Sequence, residues 1–474
     1  MTEEFPRQIY VLSQRNLSPE TIAVTFAKTS RSPQTFWEIA DELSDETSAA
    51  FHEKWVVGYG HASVAEHAVL HIAFENVSRL AVECIESNRL ASYTEKSTRY
   101  QKWDPQAFFV PPEVIGGPHE TLYRDTLRLL FDTYAAALEP TRAVVREQFP
   151  PRDGESLEQW DNRIRSRYVD ACRFLLPSAS LANLGMTVNA RALEHAIRKM
   201  LSHPLREVQE IGEATKASAL EEVPTLVKYV EPAPFFIEAK AKLNVFAVEL
   251  QAPSPKDAVQ LIAADQDAEE RVLAAALYEQ SNAGMEAALA YVRALDGEKR
   301  GMLCAAMFED RGQHDAPLRA LEHATFSFDA VMDQGAYFEV KRHRMMTQSP
   351  GPLSVALGYA TPRLISQAGF EDPYHTAMQS AAHAVETLAA WSPHVASYLV
   401  PNGYNRRVFM TLNLRQLYHF CELRSAKNAH FSVRRIARRM AELIQPITPG
   451  FIAHLRLPAD ESWRSIEEQY FTKV

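Results

Sequence analysis

The chain repeats itself, and a repeat constrains folding more tightly than any local signal because the same elements must form twice in the same order. Ala62 to Leu80 (ASVAEHAVLHIAFENVSRL) and Leu318 to Phe338 (LRALEHATFSFDAVMDQGAYF) share a Glu-His pair followed by an apolar, β-prone run, with Glu66 recurring at Glu322, an offset of 256 residues. Leu184 to Met200 (LGMTVNARALEHAIRKM) and Val408 to Arg424 (VFMTLNLRQLYHFCELR) share Met-Thr-x-Asn-x-Arg-x-Leu-x-His, with Asn189 recurring at Asn413, an offset of 224. Both halves also open alike. A strand-like run (IYVLSQ; VQLIAADQ) precedes an acidic helix start (LSPETIAVTFAKTS; DAEERVLAAALYEQS). Three blocks in one order, at offsets that differ only through loop length, are what a tandem duplication leaves.

Pro-rich punctuation at Val230 to Phe236 and Glu249 to Ala258 marks a linker. It puts the boundary near residues 231–257 and the two domains at residues 1–235 and 240–474. A length of 474 residues agrees, being too long for one ordinary core. Only 17 glycines favour helices, and Leu205 to Ala219, Thr376 to Ala390 and Phe431 to Ile444 carry apolar residues at three- and four-residue spacing. Val69 to Val77 and Ala324 to Val331 read as strands. The expected class is α+β, with a short antiparallel sheet and flanking helices in each copy.

Composition removes several functions. A net charge of −10 provides no global positive field for nucleic acid. Cys84, Cys172, Cys304 and Cys421 lie far apart with no CxxC or Cys/His zinc spacing, so no metal site or disulfide framework is expected, and buried thiols in a reducing cytoplasm fit. No stretch approaches the ~18 apolar residues of a membrane span, and the acidic start MTEEFPRQIYVLSQ has no apolar signal core. We expect a soluble cytoplasmic protein that binds neither nucleic acid nor membrane.

The segment KRHRMMTQSPGPLS, Lys341 to Ser354, concentrates cationic groups and then runs into prolines. At this point the chain resembles the flavin-dependent thymidylate synthases, whose fingerprint is Arg-His-Arg-x-x-Ser-x-Asn-x-x-Ser-x-Arg. The second copy keeps Arg342, His343 and Arg344 but has Thr347, Ser349, Pro352 and Ser354 at the later positions. The first copy has Ser87, Asn88 and Arg89 in front, and keeps Glu95, Ser97, Thr98 and Arg99 at the back. Downstream, the first copy keeps Arg173 four residues before Pro177 but ends its Asn189-x-Arg191 helix in Met200. The second places Ser397 at the Arg173 position yet retains Asn413, Arg415, His419 and Arg424. The losses are complementary.

The resemblance implies reductive C5 methylation of deoxyuridylate to thymidylate, with FAD as cofactor and NADPH and methylene-tetrahydrofolate as co-substrates. In that family each site is shared between subunits. Here the implied pocket takes its flavin contacts from Arg342, His343, Arg344, Asn413, Arg415 and His419, with Ser63 and Glu66. Its pyrimidine nucleotide monophosphate contacts come from Glu95, Ser97, Thr98, Arg99, Arg173 and Glu339. Arg424 is implied to polarise the uracil N3–C4 edge and is the expected catalytic residue; no metal is implied. A homodimer of two-copy chains would mimic the family's tetramer.

Elementary chemistry agrees with these types. A monophosphate carries close to two charges and favours forked, charge-assisted hydrogen bonds from arginine. A flavin needs placement and electrostatics, not a protein nucleophile. Two rivals stand beside this reading: the same scaffold acting on another pyrimidine nucleotide, since Glu339 replaces the family's usual Gln with an acceptor alone, and a non-catalytic flavin- or nucleotide-binding protein. Arg434, Arg435, Arg438 and Arg439 are expected to form a solvated or interface face and not a cofactor site.

Overall fold

The computed structural model describes residues 8–97, 99, 103–247, 249–250 and 257–473. Strands β1 (Val69–Ser78), β2 (Ala91–Glu95) and β3 (Leu181–Asn189) form an antiparallel sheet of order β1-β3-β2. The second copy supplies β4 (Val259–Ala264), β5 (Thr325–Asp333), β6 (Thr347–Pro350), the short β7 (Thr361–Pro362) and β8 (Asn405–Asn413). Strands β4, β5, β6 and β8 form a sheet of order β4-β5-β8-β6, while β7 pairs with β9 (Phe471–Lys473). The expected α+β class, with a small antiparallel sheet in each copy, is what the chain adopts.

The two larger sheets share one register. Val69 faces Asn189 in the first and Thr325 faces Asn413 in the second; Ser92 faces Thr187, and Thr347 faces Thr411. Buried residues alternate identically along the central strands: Leu184, Met186 and Val188 on β3, Val408, Met410 and Leu412 on β8. A strand buried on one face needs that period of two, and a slip of one residue would turn every side chain to the wrong face. The copies drift by a single residue. Past a bulge between Phe74 and Val77, Val77 faces Ala182 as Met332 faces Arg406, so the offset becomes 255. At the bulge Asn76 adopts φ 55° and its N–H donates to Asn183 Oδ1 at 3.0 Å, a conformation asparagine tolerates better than most residues.

Packing divides the chain into two units, one holding the described residues of 1–96, 111–113 and 181–251, the other those of 97–110, 114–180 and 252–474. This division differs from the expected boundary near residues 231–257, because segment 114–180 packs with the residues after 252. The larger unit's core sets Phe326 and Phe328 of β5 and Met410 of β8 against Val433, Ile436 and Met440 of the helix Phe431–Ile444.

Within that larger unit the two Leu/Val-Pro turns clasp each other reciprocally. Ser178 N–H donates to Val400 O at 3.0 Å while Asn402 N–H donates to Leu176 O at 2.9 Å; Ala179 N–H reaches Tyr398 O, and Gly403 N–H reaches Phe174 O, both at 2.8 Å. Each bond maps onto its mate by the 224-residue offset, so the contact is isologous, as at a two-fold dimer axis. A Cβ at Gly403 would be crowded, meeting Phe174 Cδ1 at 3.1 Å and the Tyr374 hydroxyl at 3.0 Å.

Two expectations are corrected. Residues 8–13 form no strand, although VQLIAA does. Ile9 and Val11 are exposed, and what reaches the edge of β1 is a side chain, Gln14 Nε2 to Val69 O at 3.2 Å. The arginines of Phe431–Ile444 are not a solvated face. Arg434, Arg435 and Arg438 are buried, and the C-terminal segment supplies Glu461 to Arg434 and Glu467 to Arg435 at 3.0 Å, while half-buried Arg439 pairs with Asp257 at 2.5 Å. Among the described residues no helix is long and apolar enough to cross a membrane, and no cluster of metal-ligating side chains occurs. No disulfide joins the four cysteines; Cys172, Cys304 and Cys421 are buried and Cys84 is half-buried.

Candidate functional site

The larger unit brings together three helix ends that the sequence separates widely. The helix Leu157–Cys172, started by a Ser156 capping box, ends in the turn Arg173–Leu175, and the clasp pins it there through Asn402 Nδ2 to Arg173 O at 3.1 Å. The helix Gln334–Val340 is capped by Asp333 and carries Glu339 on its last turn. The helix Leu414–Arg424 is capped by Asn413, whose Oδ1 accepts from Gln416 N–H at 2.8 Å, and Arg424 is its final residue. Arginine at a helix C-terminus also complements the dipole.

These ends meet in one chain of contacts. Arg173 Nη2 donates to Glu339 Oε1 at 3.2 Å, Arg424 Nη1 donates to Glu339 Oε2 at 3.1 Å, and Arg424 Nε donates to His343 Nε2 at 2.8 Å. Arg173 and His343 are each 4% exposed. Because Nε2 accepts, His343 is neutral with its proton on Nδ1. Burial first, then the charges of Arg424 and His419, hold its pKa well below the ordinary 6.5. Burial also lowers the pKa of Arg424, Glu339 opposing this and Arg342 and Arg99 adding to it. A carboxylate shared by two guanidiniums is how a protein tolerates such charges out of water.

A second carboxylate lies nearby in sequence, three residues before Arg173. Asp170 takes Arg99 in a fork, with Arg99 Nε at 2.9 and 3.1 Å and Nη2 at 2.8 Å, and Arg99 Nη1 donates to Asn428 O at 3.0 Å. Burial, ahead of the opposing Arg99 charge, raises the pKa of Asp170. Its backbone carbonyl is 3.3 Å from Nε2 of His430, which is fully buried, accepts from Ser432 N–H at Nδ1, and is held neutral chiefly by that burial. Asp170 and His430 were absent from the residues read from sequence. For Asp170 the signal was there, one helical turn before Arg173 on the same face.

The remaining expected residues are placed as follows. Arg342 is exposed and Arg344 half-buried beside His343. His419 packs its ring 5.5 Å from that of His343, and its pKa is lowered by burial and then by Arg424. Arg415 pairs with Glu322 at 2.7 Å, and in the first copy Arg191 pairs with Glu66, so the same ion pair persists in both sheets. Ser97 Oγ accepts from Arg99 N–H at 3.2 Å; Thr98 lies outside the described residues. Ser63, Glu66 and Glu95 belong to the smaller unit. Ser63 is exposed on the turn Ala62–His67, and the carboxylate of Glu95 is 2.8 Å from Arg79 in a buried pair.

The first sheet holds different groups where the second holds this chain of contacts. At the offsets of 255 and 224, Cys84 stands for Glu339, Asn88 for His343 and Met200 for Arg424. Lys199 reaches in instead, donating to Ser87 Oγ and to Asn88 Oδ1 at 2.8 Å.

Comparison with known proteins accords with this doubled arrangement. The family described as "Thymidylate synthase complementing protein" matches residues 11–225 and again 260–450. A UPF0159 protein of Chlamydia muridarum (strain MoPn / Nigg) is 30% identical over 434 residues, covering 88% of this chain and 82% of its own. A flavin-dependent thymidylate synthase of Thermococcus onnurineus (strain NA1) is 30% identical over 169 residues, 34% of this chain and 57% of its own. A solved UMP/dUMP methylase, PolB from Streptomyces cacaoi bound with 5-Br dUMP, aligns with TM-score 0.34 and 15% identity over 41% of this chain and 93% of its own. With both halves matched, the chain belongs to the thymidylate synthase complementing protein family, whose pattern it carries twice.

Proposed function

We propose that this chain is a flavin-dependent methyltransferase of pyrimidine nucleotides, deoxyuridylate first among them, with NADPH and methylene-tetrahydrofolate as co-substrates and one working site per chain. The observation that carries the proposal is the contact chain Arg173–Glu339–Arg424–His343. It joins the nucleotide-side residue kept in the first copy to the flavin-side residues kept in the second. Copies at 1–235 and 240–474, paired into a homodimer of chains, complete the proposal.

The donor set fits a flavin dinucleotide. Exposed Arg342 and half-buried Arg344 put positive charge beside a neutral, buried imidazole, which suits a pyrophosphate and an anionic ring system. A bound flavin would supply the hydride chemistry. The residues of this chain bind and orient. Arg173 grips the phosphate, Arg424 holds the pyrimidine edge and draws its electrons, and His343 fixes the guanidinium plane of Arg424 through the 2.8 Å bond to Nε. Orientation of this kind lowers a barrier by several kcal/mol because the entropy is lost on binding.

A second reading, the same chemistry on another pyrimidine nucleotide, is favoured by Glu339, which offers acceptors only where an amide would also donate. One experiment addresses both. Tritium release from [5-³H]deoxyuridylate with NADPH and methylene-tetrahydrofolate is measured beside release from [5-³H]uridylate and [5-³H]deoxycytidylate. We expect deoxyuridylate to be turned over fastest; release from another nucleotide alone supports the second reading, and no release from any with bound FAD overturns both.

A further inference from the structure

Behind the turn that carries Arg173 stands a stack of aromatic rings. Phe174, the next residue, stacks on Phe431 with ring centroids 5.9 Å apart and planes 7° off parallel. Phe431 stacks in turn on Tyr470 at 5.0 Å and 3°, and Phe471 sets its ring steeply against Phe431 at 5.2 Å and Phe174 at 6.4 Å. Phe174, Phe431 and Phe471 are buried and Tyr470 is half-buried. His430 joins the same stack, its ring 4.2 Å from that of Phe431, and its Nε2 meets the carbonyl of Asp170, whose carboxylate forks Arg99. Arg173 and Arg99 are therefore backed by one set of rings.

The outer rings, Tyr470 and Phe471, come from beyond residues 260–450, the span at which the family's pattern matches the second half. Their segment is tied down repeatedly. Glu467 pairs with Arg435 at 3.0 Å, Arg363 donates from Nε to Glu468 O at 2.9 Å and from Nη2 to Phe471 O at 2.7 Å, and β9 pairs with β7. These ties fix where the two rings sit, and close-packed rings pass a displacement on instead of absorbing it.

We propose that the C-terminal segment 461–473 is a positioning strap for the candidate site, in which Tyr470 and Phe471 hold Arg173 and, through His430, Asp170 and Arg99 in their binding geometry. The inference rests on the reading of Arg173 as a phosphate contact. Without the outer rings Phe431 and Phe174 gain freedom, and the turn at Arg173 gains it with them. An arginine that must be ordered by its ligand binds ground state and transition state more weakly alike, which raises KM and leaves kcat.

The test uses the full chain. In tritium release from deoxyuridylate, Tyr470→Ala should raise KM about tenfold or more with kcat within about threefold, and Tyr470→Phe, which keeps the stacked ring, should stay within about twofold of wild type. A segment that only stabilised the fold would lower the amount of active protein, and so kcat, at constant KM; that outcome, or an unmoved KM, overturns the strap. Hydrogen exchange is read in parallel by mass spectrometry. Tyr470→Ala should speed exchange of residues 170–176 at least about threefold more than that of β5, and equal changes or none overturn the inference. Should Tyr470→Ala fail to fold, Phe471→Ala is judged by the same criteria. Exchange needs no substrate, so a wild type that methylates no nucleotide sinks the functional reading while the exchange arm still judges the strap.

Discussion

The two larger sheets make a controlled comparison within one molecule. Their strands pair in the same register, their helices start from the same asparagine caps, and the Glu66–Arg191 and Glu322–Arg415 pairs occupy matching places. Yet the second sheet is lined by Glu339, His343 and Arg424, and the first by Cys84, Asn88 and Met200. Backbone register and capping are demanded by folding and so were kept in both copies; the polar groups that differ are those folding does not require. On the proposed function, the comparison separates scaffold from chemistry without any second protein.

The largest expected effect breaks that comparison at its centre. Arg424→Ala should lower kcat/KM for tritium release by about 10³-fold or more, as when a donor to the reacting group is removed, whereas Met200→Leu at the matching position should stay within about twofold. Equal losses would mean that both sheets serve the reaction. Next comes stability. Arg173→Ala leaves Glu339 short of one partner and should cost ~3–5 kcal/mol, against ~1 kcal/mol for Ser397→Ala, whose hydroxyl donates to Leu353 O at 3.1 Å and Pro393 O at 3.0 Å. Urea unfolding reads both.

Acid should act through the buried imidazoles. His343 and His430 have folded pKa values well below 6.5, so as pH falls the unfolded chain takes up protons first. Their contribution is complete above pH ~6.5 and is lost below it at up to ~1.4 kcal/mol per pH unit for each. Buried Asp170 and Asp333, whose pKa values are raised, act in the opposite sense as the carboxylate range is approached. His343→Asn, which installs the first copy's residue, should remove one share of the slope between pH 6.5 and 5; an unchanged slope would refute the assignment. At the clasp, Gly403→Ala should cost ~1–3 kcal/mol by overpacking. Gly185→Ala on β3, where the nearest atom to a Cβ is Thr94 O at 3.9 Å, should be neutral or slightly stabilising. Asn76→Gly should likewise change stability little, by up to ~1 kcal/mol in the stabilising sense, since φ 55° favours glycine.

Much of this was legible in the residues. Val69 to Val77, Ala324 to Val331 and Phe431 to Ile444 declared themselves by period, and the repeated Met-Thr-x-Asn-x-Arg block proved to encode a strand end, a helix cap and an ion-paired arginine in succession. What stayed hidden depends on tertiary partners. The run IYVLSQ has strand composition, yet only the Gln14 side chain meets the open edge of β1, and composition alone does not decide pairing. Arg434 and Arg435 look like surface until Glu461 and Glu467 arrive from the C-terminal segment. Glu339 was legible as an unusual residue, but that it bridges two arginines from different copies could be known only from the fold.

The reciprocal backbone clasp has a consequence for how such a chain could be divided. Its four hydrogen bonds are main-chain and symmetric, so segments 174–179 and 398–403 are held together by the backbone itself and not only by chain connectivity. Two separately translated pieces, cut between residues 247 and 257, should therefore find each other and restore the Arg173–Glu339 contact, as an obligate heterodimer would.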